Sequence, residues 1–176
     1  MIKAKLDAQT VIRNIDRCLD LTQNFAPLLR VIQGKAEDKK PWTMRGSVAR
    51  NFVSKSSPDK KPWQSLSEDY AKQKSKKYPG APMLVASGKL FNSLIRNFEG
   101  EDDEGVSIVT AKKLSYGTKI PYAKYHMLGT KKMPARPFIG ITDKQEKTWK
   151  VLIARYISAT INNDQSEMKS ILGGGD

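Results

Sequence analysis

The chain has 176 residues, enough for one domain whose folding hides about two-thirds or more of its extended surface. One cysteine, Cys18, and one histidine, His126, exclude an intramolecular disulfide and an ordinary zinc site built by this chain alone. Thirty-one Lys plus Arg against eighteen Asp plus Glu leave a net charge of +13, which favours a polyanionic partner or an acidic protein face.

From Leu6 to Gln33 apolar residues recur at helical spacing: Val11, Ile15, Cys18 and Leu19, then Phe25, Leu28, Leu29 and Ile32. This predicts one kinked amphipathic helix or two, with Pro27 bending the chain or opening a new first turn. Residues 1–34 are therefore read as an N-terminal helical region, with Cys18 in its apolar stripe. Residues 35–62 are basic and broken by Pro41, Gly46, Pro58 and Pro62, and they read as a loop or arm with a short helix near Ser47 to Lys55. An α+β core is expected over residues 63–165.

Ser65 and Glu68 have capping-box spacing and predict a helix over Leu66 to Lys77, rich in lysine beyond Tyr70. Ser87 is the expected cap for the segment beginning at Lys89, a short helix to about Leu94 passing into a strand. The acidic run Glu99, Glu101, Asp102, Asp103 and Glu104 would then be the turn of a hairpin with Val106 to Thr110, and Leu114 to Thr118 could add a strand. The clearest helix carries Trp149, Leu152, Ile153, Tyr156, Ile157 and Ile161 on one face after an acid-rich start. The fold class expected is α+β, a small antiparallel sheet packed by helices, with the sheet as the long helix's partner. Residues 166–176 are expected to be a flexible tail.

The most informative stretch is Pro121-Tyr-Ala-Lys-Tyr-His126-Met-Leu-Gly129. Proline opens this two-turn helix and glycine closes it, and Tyr122, Tyr125, His126 and Gly129 share a face. A histidine without a nucleophile or carboxylate near it in sequence is a poor acid–base catalyst, so packing or an interface is its expected use. Two prolines then stiffen Pro134 to Phe138, which should hold Arg136 outward as a preordered anchor while Phe138 plugs the core.

Taken in order, four pieces resemble the virion morphogenesis or tail-completion proteins of Mu-like and related tailed phages. They are Pro58-Asp-Lys-Lys-Pro-Trp63-Gln-Ser-Leu66 with Tyr70 and its lysine-rich helix, then Met83-Leu-Val-Ala-Ser-Gly88-Lys-Leu90. The 121–129 segment and Met133-Pro-Ala-Arg-Pro-Phe-Ile-Gly140 complete the set. The resemblance covers most of the chain from about residue 45 onward. Where such proteins commonly carry glycine after Pro-Asp, this chain has Lys60.

That resemblance implies a virion protein of the head–tail junction, assembled in the host cytoplasm and acting as a neck, tail-completion or tail-terminator ring. The ring is expected to be hexameric, with connector and tail-tube proteins as neighbours, at most weak contact with phage DNA, and no cofactor. Interface residues would be Tyr122, Tyr125, His126, Lys131, Lys132, Arg136 and Pro137. Trp63, Tyr70, Gly88, Leu90, Gly129 and Phe138 would be structural motif positions.

Two other classes compete. An enzyme is disfavoured, because no phosphate-binding glycine loop, Gly-x-Ser-x-Gly elbow or His-Glu-x-x-His is present. A nucleic-acid-binding module could use the lysines of residues 35–61 and 72–77, with Trp42, Trp63 and Tyr70 as stacking platforms. No run approaches the roughly 18 apolar residues of a membrane span, and the first residues lack a signal peptide's apolar core, so a reducing cytosol and no membrane are expected.

Overall fold

The computed structural model describes residues 23–36, 38–96 and 104–173. The first part of the N-terminal helical region, Cys18, and most of the acidic run lie outside the described residues. Among the described ones, seven helices accompany a two-stranded antiparallel sheet, an α+β fold.

Helix α1 (Ala26–Gln33) starts with proline in its first turn, where a missing N–H costs nothing, and buries Leu28 and Ile32. Helix α2 (Met44–Ser54) is longer than the spacing predicts, because Thr43 caps it by accepting from the Gly46 N–H at 3.1 Å. Gly46 is obligatory there, since a Cβ would sit 2.1 Å from the Lys40 carbonyl oxygen. This helix buries Val48 and Phe52, so much of the expected arm is core.

The turn after α2 closes with the Lys60 N–H donating to the Ser57 carbonyl and the Ser57 N–H donating to that of Lys61. Lys60 sits at φ 67°, a left-handed conformation that a side chain resists and glycine accepts. The glycine that the resemblance implies at this position would suit that conformation. Lys60→Gly is expected to stabilise the protein by up to about 1 kcal/mol, relief of the left-handed strain outweighing glycine's greater unfolded-state entropy. A urea midpoint that falls rather than rises would contradict this.

Helix α3 (Glu68–Lys77) begins later than expected. Ser67 takes the cap position, no side chain closes a capping box, and Leu66 lies before the helix. Helix α4 (Lys89–Ile95) starts after Gly88, whose φ of 79° makes it the cap residue in place of Ser87.

The hairpin also differs. Strand β1 (Gly105–Val109) pairs with β2 (Leu114–Thr118), Gly105 opposite Thr118 and Val109 opposite Leu114. The connecting turn is therefore 110–113, closed by the Thr110 N–H donating to Lys113 at 2.8 Å, and α4 does not run on as the partner strand. A four-residue connection closes at less entropy than one through a highly charged run.

Helix α5 (Ala123–Leu128) precedes an extended run to Ile141, and α6 (Asp143–Ile161) follows with a complete capping box between Thr142 and Gln145. Its main partners are helices rather than the sheet: Tyr156 and Ala159 cluster with Leu28 and Ile32 of α1 and Ile171 of α7 (Gln165–Leu172). Helix α7 replaces most of the expected flexible tail. Asp164 caps it and Ile171 is 3 % exposed, so one buried side chain anchors a segment that looks polar in sequence. A second core joins α2, α4, α5 and the extended run through Val48, Phe52, Trp63, Leu90, Leu94, Ala123 and Phe138. Trp149 bridges toward the α2 side by donating its indole N–H to the Trp42 carbonyl at 2.7 Å. Among the described residues no helix is long and apolar enough to cross a membrane.

Candidate assembly interface

Helix α5 is held from below. Ile120 and Ala123 are buried, while Tyr122, Tyr125 and Leu128 are exposed, Leu128 by 81 %. A short helix showing three large apolar side chains to solvent has an unpartnered face. Gly129 ends it at φ 74°, where a Cβ would meet the Ala135 nitrogen at 2.8 Å and the Met133 oxygen at 3.0 Å. The chain then turns through Thr130 to Met133, with Lys131 and Lys132 exposed at the tip.

The returning strap, Pro134 to Gly140, lies behind α5. The Arg136 N–H donates to the His126 carbonyl at 2.6 Å, and the Phe138 N–H to the Met127 sulfur at 3.3 Å. Side chains alternate along an extended chain, so Arg136 and Phe138 face the same way, and that way is inward. Phe138 is fully buried and Arg136 is 4 % exposed. The outward orientation expected of Arg136 is therefore incorrect. Its guanidinium instead donates from Nε to the Gln64 carbonyl at 2.9 Å and from Nη2 to that of Ser65 at 3.1 Å. Parity with Phe138 was the sequence signal that could have found this.

The same strap is pinned from the other side. The Trp63 indole donates to the Pro137 carbonyl at 2.9 Å, and the Asn51 amide to the Phe138 carbonyl at 3.2 Å. Trp63 is buried and cannot serve as a stacking platform. Tyr70 is 53 % exposed on α3.

These ties draw the four motif pieces around one groove of about 830 Å³. Leu66, Tyr70 and Lys74 come from the first piece, Leu84 and Gly88 to Leu90 from the second. Tyr122 and His126 come from the third, and Lys132 to Pro134 with Arg136 from the turn and strap. Tyr125 and Lys131 lie outside its lining, and Pro137 lines a separate hollow of about 990 Å³ with Trp63. Lys74 was not singled out by the sequence, because it reads as one of several solvated lysines. In the fold its ammonium is turned onto the carbonyls of Ala81 and Pro82.

The groove's electrostatics follow from burial. Desolvation pulls His126 below its ordinary pKa, and the nearby Arg136 charge adds to this, so the ring is neutral at pH 7. It stands edge-on to Tyr122 at 6.0 Å between centroids. Burial likewise lowers Arg136 and Lys74. Among the described residues no cluster of three or more His, Cys, Asp or Glu comes together.

Against known proteins, residues 6–158 match the model of the phage virion morphogenesis family. The chain belongs to the phage virion morphogenesis family. The match reaches into the N-terminal region, further than the motif pieces extend. Within 141 aligned residues the chain is 27 % identical to a Haemophilus influenzae protein called Mu-like prophage FluMu G protein 1, covering 78 % of this chain and 89 % of that one. No solved structure matches. Proteins of this family take part in virion morphogenesis.

Proposed function

We propose that the chain is a structural subunit of the phage head–tail junction, completing the tail or joining it to the head as a homo-oligomeric ring, with hexamer the expected copy number. The observation that carries this reading is the exposed apolar face of α5 beside a groove lined by all four motif pieces. A ring subunit needs two different surfaces, one toward each neighbouring copy, and the α5 face and the groove are the two assigned here. The junction's connector and tail-tube proteins are the further neighbours. The site works by docking, and no step of bond chemistry is assigned to it.

The alternative of a nucleic-acid-binding module draws on the +13 charge, the lysines of residues 35–61 and 72–77, and Trp42, Trp63 and Tyr70 as stacking platforms. With Trp63 in the core, its stacking surface is reduced, and weak, salt-sensitive contact with DNA is the most this reading retains.

The test separates assembly from folding. Leu128→Asp and Tyr125→Ala lie at exposed positions, so each is expected to leave the melting temperature within about 2 °C, a change of ~0.5 kcal/mol. Each should nevertheless lower the yield of infectious particles at least tenfold, with heads and tails left unjoined in negative-stain micrographs. Normal particle yield from both variants would defeat the proposal.

A further inference from the structure

The groove is cationic, and among the described residues Glu104, on Lys89, is the carboxylate that meets its lining. Lys74 and Arg136 are 9 % and 4 % exposed, and both spend their donors on main-chain carbonyls. Among the described residues neither meets a carboxylate at ion-pair distance. Carbonyl oxygens satisfy the donors but leave the net charges uncompensated. Lys89 and Lys132 add charge at the rim, and no Asp or Glu lines the groove. Walls of low dielectric bearing one sign of charge concentrate the potential between them.

A chain of +13 repels its own copies, and a contact that brings opposite charges together offsets that repulsion. The concentrated negative charge of this sequence is Glu99, Glu101, Asp102, Asp103 and Glu104. Where that run enters the described structure, Glu104 sits 2.5 Å from the Lys89 ammonium, a member of the groove's own lining. Lys89 is thereby occupied within the chain, leaving Lys132 exposed at the rim for a further carboxylate, with the buried Lys74 and Arg136 charges contributing to the potential there.

We propose that the groove is a socket for the acidic run 99–104 of a neighbouring copy of this chain. This rests on the ring reading and names the contact that would propagate it. The groove's lining and the acidic run are different parts of the sequence, so a contact between them in successive copies is head-to-tail and closes into a ring when the rotation permits. It also gives the acidic run a use that an isolated basic subunit does not have.

The test uses the full chain and a fluorescent peptide, Glu-Gly-Glu-Asp-Asp-Glu, corresponding to residues 99–104. Anisotropy should report binding that Lys132→Glu, at an exposed position, weakens at least tenfold. Binding should vanish between about 0.1 M and 1 M salt, as the screening length shortens from about 10 to 3 Å. In mass photometry Asp102→Lys should block assembly, and the double variant Lys132→Glu with Asp102→Lys should recover part of it. A peptide that does not bind, or that binds Lys132→Glu equally well, overturns the socket even if rings form. A chain that stays monomeric yet binds the peptide through Lys132 overturns the ring reading and upholds the socket chemistry. Asp102→Lys lowering the melting temperature while assembly persists would put the run in its own groove and overturn the neighbour as occupant.

Discussion

Replacing Arg136 by alanine is expected to destabilise the fold by about 2–3 kcal/mol, whatever it does to assembly. The guanidinium is the tie between the strap and residues 64–65, and its two hydrogen bonds are charge-assisted. Bonds of that kind contribute roughly 1.5–3 kcal/mol each, but burying the cation without a carboxylate takes back part of the gain. Gln64 and Ser65 are exposed, so water can reach the freed carbonyls and limit the loss. Arg136→Met distinguishes the causes, because methionine keeps much of the aliphatic packing and removes the charge. A urea titration showing the methionine variant as stable as the parent would mean that packing, not the hydrogen bonds, holds the strap. Arg136→Lys is expected to recover little, since one ammonium cannot reproduce the planar fork that meets two successive carbonyls. Should Arg136→Ala fold with unchanged stability and fail only in assembly, the tie from the strap to residues 64–65 would contribute nothing to the stability of the fold.

Phe138→Ala should have the larger effect, a loss of about 3–5 kcal/mol, because it removes a ring from the centre of the core and leaves a cavity. The ring packs 5.5 Å from Phe52, which itself meets Trp63 edge-on at 5.7 Å, so three aromatic side chains lose their common packing. Phe138→Leu keeps most of the volume and is expected to cost less than about 1.5 kcal/mol. For a chain of this size the alanine loss corresponds to a melting point lower by roughly 6–20 °C. The Phe138 carbonyl accepts from Asn51 and its N–H meets Met127, so a shift of this backbone would also move the helix carrying Tyr122 and His126. Particle assembly should therefore fall in parallel with stability. A calorimetric melting point within about 2 °C of the parent would show that the core reorganises around the vacancy without appreciable loss.

The two predictions share a physical origin in the alternation of an extended chain. Proline placement made residues 134–138 recognisably stiff, but stiffness alone does not say which side is buried. Once Phe138 fills the core, Arg136 must enter as well, and the neighbouring 64–65 carbonyls give it a partner. Tyr125 and Leu128 remain outside because α5 is held by its opposite edge, through Ala123 and the preceding Ile120. Tyr122, Tyr125, Lys131 and Lys132 thus lie exposed, whereas Arg136 forms part of the wall of the groove.

What the sequence determined by itself is local. Helical spacing with Pro27 and the acid-rich start at Asp143 located two helices, proline and glycine bracketed α5, and four ordered motif pieces pointed to the virion morphogenesis family. Tertiary structure decided what depends on distant partners: β1 pairing with β2 across residues 110–113, α6 packing on α1 and α7 rather than on the sheet, and Lys74 turning onto a loop seven residues away. Spacing along a chain records the period of an element and its two faces. Which face is covered, and by what, is fixed only when segments far apart in sequence compete to bury apolar surface and to satisfy the polar groups that burial strands.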